Sequence, residues 1–487
     1  MSTEYDVVVV GAGSAGAVVA SRLGAAKRVL LIEAGPDQPD PNPLLDGTKL
    51  HLDGFNWDHL ANLRTKTRHS SRALWGRFPY RVGKVVGGSS AVNGAVAMRA
   101  LPRDFDDWVK LGNPDWSWEA VQPFYDRVRL PIRRPDDLHE LEVAFHDECT
   151  RMGLPDVPDL NDGTELGVGP VPANTVGRER RDVRAMYLTD ADVELWTGCA
   201  VTRVLFDGRR AVGVEVRRDG AVETVRAREV VLSAGAIGSP VILQRSGVGP
   251  ADVLARLGVR PVRELAGVGE NLVDHPSIVI WAKPRDGVCA PGAPWRQVAA
   301  RMSSGVRDDG ADVQVWLLNN VESSTIPGFA NRLGWDMVVG ISVMLLRPES
   351  RGRVHLEEPD GKPVIELGFG TEPDDVERLA HGVRKAWRIL RSPAFAARLE
   401  DVQLWTDAMV ADDTLLRGAV RNVMSPGWHA VGTARMGPET DPMAVVDQRC
   451  RVHGLDGLRV IDASVFPTMP SAPTNLTTIM LAERMGE

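Results

Sequence analysis

Gly11, Gly13 and Gly16 form a Gly-x-Gly-x-x-Gly turn directly after the apolar run Asp6 to Val10. Gly11 permits the tight turn, and Gly13 lets the backbone approach a pyrophosphate. Gly16 lets the following helix pack closely on the strand. The N–H groups and positive dipole end of that helix would face the phosphates. Glu33 ends a second apolar run, Arg28 to Ile32, where a carboxylate can accept hydrogen bonds from both hydroxyls of a ribose. The acid argues against a 2′-phosphate. The turn alone does not separate FAD from NAD.

Other blocks carry chemistry only in combination. Gly83 to Gly94 is rich in glycine and suits close backbone approach to something flat or charged, although a surface loop reads equally well. Ser233 to Pro240, followed by Ser246-Gly247-Val248-Gly249, fits ordinary strand–turn–helix chemistry with a glycine cap. His429 lies in Trp428-His429-Ala430-Val431-Gly432 and by itself reads as a packed histidine. Asn475, just after Pro473, by itself reads as a turn residue. His275 precedes Pro276 in a turn-like block and reads as structural, and His453 as a surface turn residue. The four cysteines are scattered with no CxxC, so reduced structural thiols are expected and no metal site.

These residues need elements to hold them. Asp6 to Val10, Ala17 to Leu23 and Arg28 to Ile32 make a strand–helix–strand unit of Rossmann type. Residues 36 to 80 read as a long irregular excursion. Asp104 to Val128 is expected to be helical. Ala200 to Phe206 and Ala211 to Arg217 form a strand pair around Asp207-Gly208, and Glu229 to Leu232 is another buried strand. A helix is expected to open at Gly238-Ser239-Pro240. From about 276 to 428, alternating segments such as Asp312 to Leu318 and Met337 to Leu345 indicate an antiparallel sheet. Asp374 to Leu390 is an amphipathic helix, and Leu458 to Ile461 a late strand. The fold class is α/β: a Rossmann-like domain interleaved with an α+β domain containing an antiparallel sheet. The expected division gives 1–100, 190–275 and 430–487 to the first, with 101–189 and 276–429 to the second.

The chain has 487 residues, 43% of them apolar and 25% charged, enough for a large core. A net charge of −8 with no basic stripe excludes nucleic acid and anionic membrane surfaces as main partners. The N-terminus lacks the pattern of a signal peptide, and the first apolar run is too short to span a bilayer. A cytoplasmic location with no integral membrane segment is expected.

Taken in order, five blocks resemble the glucose–methanol–choline family of flavin oxidoreductases. They are Gly11 to Gly16, Gly83 to Gly94, Ser233 to Gly249, Trp428 to Gly437 and Asp462 to Met480. Gly267 to Pro276 matches a further family block, and the resemblance thins in the inserted domain. It implies FAD, held by Gly11, Gly13, Ser14, Gly16 and Glu33 on the ADP side. Val201 would contact the adenine through its backbone. Gly88, Ser89 and Asn93 would line the flavin, and Asp462 and Ala463 the pyrophosphate and ribityl chain. Asn475, Leu476 and Thr477 would lie at the cofactor, with Thr477 and Thr478 starting a final helix whose positive end faces the flavin. Val92 stands where some members attach FAD through a histidine, so noncovalent FAD is expected. The family's catalytic pair falls on His429 and Asn475. His429 would accept the alcohol proton while hydride passes to flavin N5, and Asn475 would hold the substrate oxygen.

The resemblance therefore implies FAD-dependent oxidation of a small-molecule alcohol to a carbonyl. It leaves the electron acceptor open among oxygen, a quinone, another redox cofactor or a protein. A biosynthetic tailoring enzyme for a bulky substrate, with Trp57, Trp75, Trp295 and Trp335 as pocket candidates, and a noncatalytic FAD redox sensor are the alternatives.

Overall fold

The computed structural model describes residues 4–48, 51, 54–64, 77–326 and 334–487. Tyr5–Val10 is the strand that the β-branched run dictates, and Val7 to Val10 are all buried. It pairs in parallel with Val29–Ile32 on one side and with Ala221–Leu232 on the other. Glu194–Trp196 extends the sheet beyond Val29–Ile32, and Leu458–Val460 adds in parallel beside Ala221–Leu232. The long strand Ala221–Leu232 changes partners along its length. Its first half pairs antiparallel with Arg210–Arg218, which pairs in turn with Cys199–Asp207. Residues far apart in sequence thus bring their ends to one sheet edge, above which the glycine turns lie.

The second sheet is antiparallel throughout. Its order is Leu399–Val402, Pro276–Pro284, Met337–Leu345, Val313–Glu322, Val298–Met302 and Gly167–Pro170. Alternation of side chains gives each strand two faces. Ile278, Ile280, Val315, Leu317, Val339, Ile341 and Val343 point to one side and pack with Val376, Leu379 and Val383 of the helix Pro373–Leu390. Gly382 permits the close approach, because a Cβ there would lie 2.6 Å from Val343 Cγ1. The opposite face presents Ser277, Val279, Trp281, Trp316, Leu318, Ser342 and Met344 to a cavity.

Several expected elements differ in detail. Asp104 to Val128 is not one helix: Pro102–Lys110 ends near Gly112, whose φ is +89°, and Trp118–Asp126 starts afresh. Pro114 cannot continue the first helix, and Ser117 caps the second by accepting from Ala120 N at 3.3 Å. The helix expected from Gly238 begins at Gly235 and carries Pro240 inside it. The excursion over 36–80 is partly ordered into strands: His59–Asn62 pairs with Phe78–Tyr80 and with Val364–Glu366. The final helix is Thr474–Met485, so Thr477 and Thr478 do not start it. Pro473, with its fixed φ and no N–H to contribute, occupies the cap position instead.

Candidate active site

A continuous cavity of about 1270 Å³ runs between the two sheets. That exceeds the range of about 300–1,000 Å³ usual for one small ligand, which leaves room for a cofactor and a substrate together. Of the residues proposed from sequence, Gly11, Gly13, Ser14, Glu33, Gly88, Ser89, Asn93, Val201, His429, Asp462, Ala463 and Asn475 all line it. Gly16, Leu476 and Thr477 do not.

The glycine turn is shaped by contacts that no side chain would allow. Gly11 has φ +98°, and a Cβ on it would lie 2.6 Å from Ser233 O. A Cβ on Gly16 would lie 1.8 Å from Gly11 O, so Gly16 sets the packing of helix on turn without reaching the cavity. Gly88 meets the turn from the other side: its Cβ would stand 2.6 Å from Gly13 Cα. Two glycine turns therefore abut at the cavity wall. Glu33 accepts from Ala12 N at 2.9 Å and from Gly35 N at 2.8 Å, which fixes its carboxylate at the end of its strand. Burial pushes the Glu33 carboxyl up, against those hydrogen bonds. Asp462 accepts from Gly235 N at 2.9 Å and from Ser239 Oγ at 2.6 Å, tying two family blocks together.

Pro473, Thr474, Asn475 and Thr478 bring the N-terminus of the final helix to the cavity. Its dipole favours negative charge there. Asn475 Oδ1 accepts from Ser14 Oγ at 2.7 Å, which anchors the residue to the glycine turn and leaves its amide nitrogen as a donor. Thr477 faces the interior, where its hydroxyl meets Tyr125 Oη at 2.8 Å. Thr478 Oγ1 donates back to Thr474 O at 2.8 Å.

The cavity is also lined by His429, which forms a pair with His275. His275 Nδ1 lies 2.9 Å from His429 Nδ1, with the rings edge to face. His275 Nε2 lies 3.2 Å from Leu346 O and 3.1 Å from Pro470 O. Carbonyl oxygens only accept, so the His275 proton sits on Nε2. Its Nδ1 is then the acceptor, and the shared hydrogen belongs to His429 Nδ1. The lone pair of His429 is thereby placed on Nε2, on a ring that lines the cavity. Burial lowers the His275 pKa to about 4, in keeping with this neutral form. Burial also holds the His429 pKa well below its ordinary value, helped by His275 and by the Arg296 guanidinium.

The backbone around His429 is held under strain. Trp428 has φ +58°, uncommon for a bulky residue, and Gly427 leaves space where a Cβ would lie 2.9 Å from His429 Nδ1. Asp274 Oδ1 accepts from His429 N at 2.9 Å, and Tyr80 Oη donates to Asp274 Oδ2 at 2.6 Å. Burial pushes the Asp274 carboxyl up to about 7.

His275, Asp274 and Arg296 were not singled out as functional by sequence reasoning. His275 lay in a recognisable block, but its partner is distant in the chain and no spacing rule connects them. Arg296 belongs to no motif. Of the tryptophans considered, Trp57 and Trp295 line the cavity and Trp335 does not, while Trp75 lies outside the described residues. Among the described residues no group of His, Cys, Asp and Glu could hold a metal ion, and no helix is long and apolar enough to cross a membrane.

Family models described as GMC oxidoreductase match residues 5–277 and 348–482. The chain is 35% identical to 5-(hydroxymethyl)furfural oxidase of a Methylovorus species, covering 100% of this chain and 98% of that protein. It is 30% identical to oxygen-dependent choline dehydrogenase of Photobacterium profundum, covering 100% and 93%. Among solved structures, pyridoxine 4-oxidase from Mesorbium loti superimposes with a TM-score of 0.88 at 27% identity, covering 99% of this chain and 98% of that one.

Proposed function

The chain belongs to the GMC oxidoreductase family, an FAD-dependent enzyme acting on CH–OH donors, and from that premise we propose that His429 is the base that takes the alcohol proton. The observation that carries the reading is that one cavity joins the glycine turns and Glu33 to the free Nε2 side of a histidine whose other nitrogen is spoken for.

The residues present fit FAD. Gly11, Gly13 and Gly88 line the cavity with bare backbone, Gly11 and Gly88 having no room for a Cβ, and Ser14 and Asn475 supply polar groups beside it. Glu33 suits the adenosine ribose, Val201 lies on the strand expected at the adenine, and Asp462 and Ala463 close the cradle. Val92 offers no nucleophile to the cavity, which supports noncovalent binding. Bound there, FAD supplies the acceptor for the hydride that leaves the carbinol carbon.

The protein's part is positioning and proton handling. His429 Nε2 accepts the hydroxyl proton as the carbonyl forms. Its Nδ1–H donates to His275 Nδ1, which fixes the tautomer and the ring plane. Asp274 and the strained Trp428 hold the backbone on which that ring is mounted. Asn475, whose Oδ1 is anchored to Ser14, keeps its amide nitrogen as the donor that holds the substrate oxygen. The apolar floor from the second sheet limits water around the reacting carbon.

Adding alcohols anaerobically to the purified protein tests the reading. Bleaching of the oxidised flavin band by one alcohol class is the expected result. A flavin band that no alcohol bleaches would contradict it. Relatives named as oxidases make oxygen the acceptor to test first, by admitting air to the bleached protein.

A further inference from the structure

One side chain on the substrate face is not explained by proton transfer. Arg296 lines the cavity at the edge of the antiparallel sheet. Its guanidinium lies over the Trp295 ring at 4.5 Å and near Trp316 at 5.7 Å. One Nη donates to Gly94 O. A Cβ on Gly94 would lie 2.1 Å from Arg296 Nη2, so a glycine in the flavin-side loop makes room for this group. The backbone is committed too: Arg296 has φ +50°, and its N–H donates to Asn319 Oδ1 at 3.1 Å.

Among the described residues no carboxylate pairs with Arg296. The nearby acid is Glu142, whose two oxygens accept from Gln297 N at 2.9 Å and Val298 N at 3.0 Å. Burial pushes that carboxyl up to about 8, and both its oxygens are spent on those backbone donors and not on Arg296. Burial lowers the Arg296 pKa only to about 10, so the guanidinium stays charged. A half-buried cation without a counter-ion gains when an anion enters with the ligand and closes off the solvent. The fully buried Arg180 cannot share that task. Its donors go to Leu44 O, Ser90 O and Asn93.

Resting on the alcohol-oxidation reading above, we propose that Arg296 is a substrate-binding residue and that the natural substrate is an alcohol carrying a carboxylate. One available planar fork fits a monoanionic carboxylate. Trp295 and Trp316 beside it, with Trp281 and Trp428 also lining the cavity, fit a flat or aromatic frame between the carboxylate and the carbinol. The carboxylate is a spectator: the C–H and O–H bonds that break are those of the carbinol.

The test compares hydroxymethylbenzoate isomers with their methyl esters in anaerobic flavin bleaching by the holoenzyme. Wild type is expected to favour the best acid over its ester by about 100-fold in kcat/KM, mainly through KM, as a charge-assisted pair would give. Arg296→Met should collapse that ratio to near one, and Arg296→Lys should retain part of it. Equal turnover of acid and ester by wild type, or a ratio unchanged in Arg296→Met, would overturn the proposal. A binding measurement separates this from failure of the alcohol reading. Benzoate should perturb the flavin spectrum of wild type at a concentration at least about tenfold below benzamide, and Arg296→Met should lose that difference. Equal affinity for the two probes would sink the carboxylate assignment whether or not any alcohol is oxidised.

Discussion

The two ends of the cavity are built in opposite ways. The cofactor end is made of backbone: Gly11, Gly13 and Gly88 abut, and the few side chains present, Glu33 and Asp462, are fixed by main-chain donors. The proposed substrate end is made of side chains from separate segments: Trp281, Trp316 and Ser342 on three strands, with His429 and Arg296 outside them. Backbone approach demands particular glycines at particular spacings, so the cofactor end tolerates little change. A side-chain floor can be rewritten one residue at a time without disturbing the cradle. One fold can thereby keep FAD and change its alcohol.

The largest effect is expected at the backbone end. Gly16→Val would drive a side chain into Gly11 O and should abolish FAD incorporation, read as the flavin-to-protein absorbance ratio. Val279→Ala on the sheet floor should leave that ratio intact. If both variants lose FAD alike, the proposed separation between the two ends fails.

Next comes His429, the proposed base. His429→Gln should slow anaerobic flavin reduction by about 10²–10⁴-fold while FAD content is retained. His275→Phe removes the acceptor that sets the His429 tautomer and should cost about tenfold. It should also change the pH profile. His429 works only when neutral, and its pKa is held below the ordinary value by burial, His275 and Arg296. Wild-type reduction is therefore expected to be flat through neutral pH and to fall only as acid takes pH through that lowered value. Taking away His275 removes one cause of the lowering, so the fall should move to higher pH. A slower variant with an unmoved profile would mean that His275 merely packs.

The smallest effect is expected behind the cavity. Thr477→Val breaks the bond to Tyr125 Oη and should cost about 1 kcal/mol in denaturant unfolding, with FAD content unchanged. A loss of FAD would return Thr477 to the cofactor end.

The same contrast explains what could be read from the sequence. The strand–turn–helix at Tyr5–Val10 and Gly16–Gly24 was legible because apolar runs and glycine spacing are local signals. The alternating strands Val313–Glu322 and Met337–Leu345 were legible for the same reason. The last helix starts before Thr477 and Thr478, where the resemblance puts its start, because Pro473 sets the boundary. The His275–His429 contact and the approach of Arg296 to Gly94 were not legible. Each joins segments that are distant in sequence, and neither arginine nor histidine announces its partner.

The most direct test of the central claim is the anaerobic rate of flavin bleaching by a reactive alcohol, measured against pH for wild type and His429→Gln at matched FAD content. A wild-type rate that falls only on the acid side, together with a variant slowed by about 10²–10⁴-fold, is the predicted result. Equal rates in the two proteins would contradict the assignment of His429 as the base.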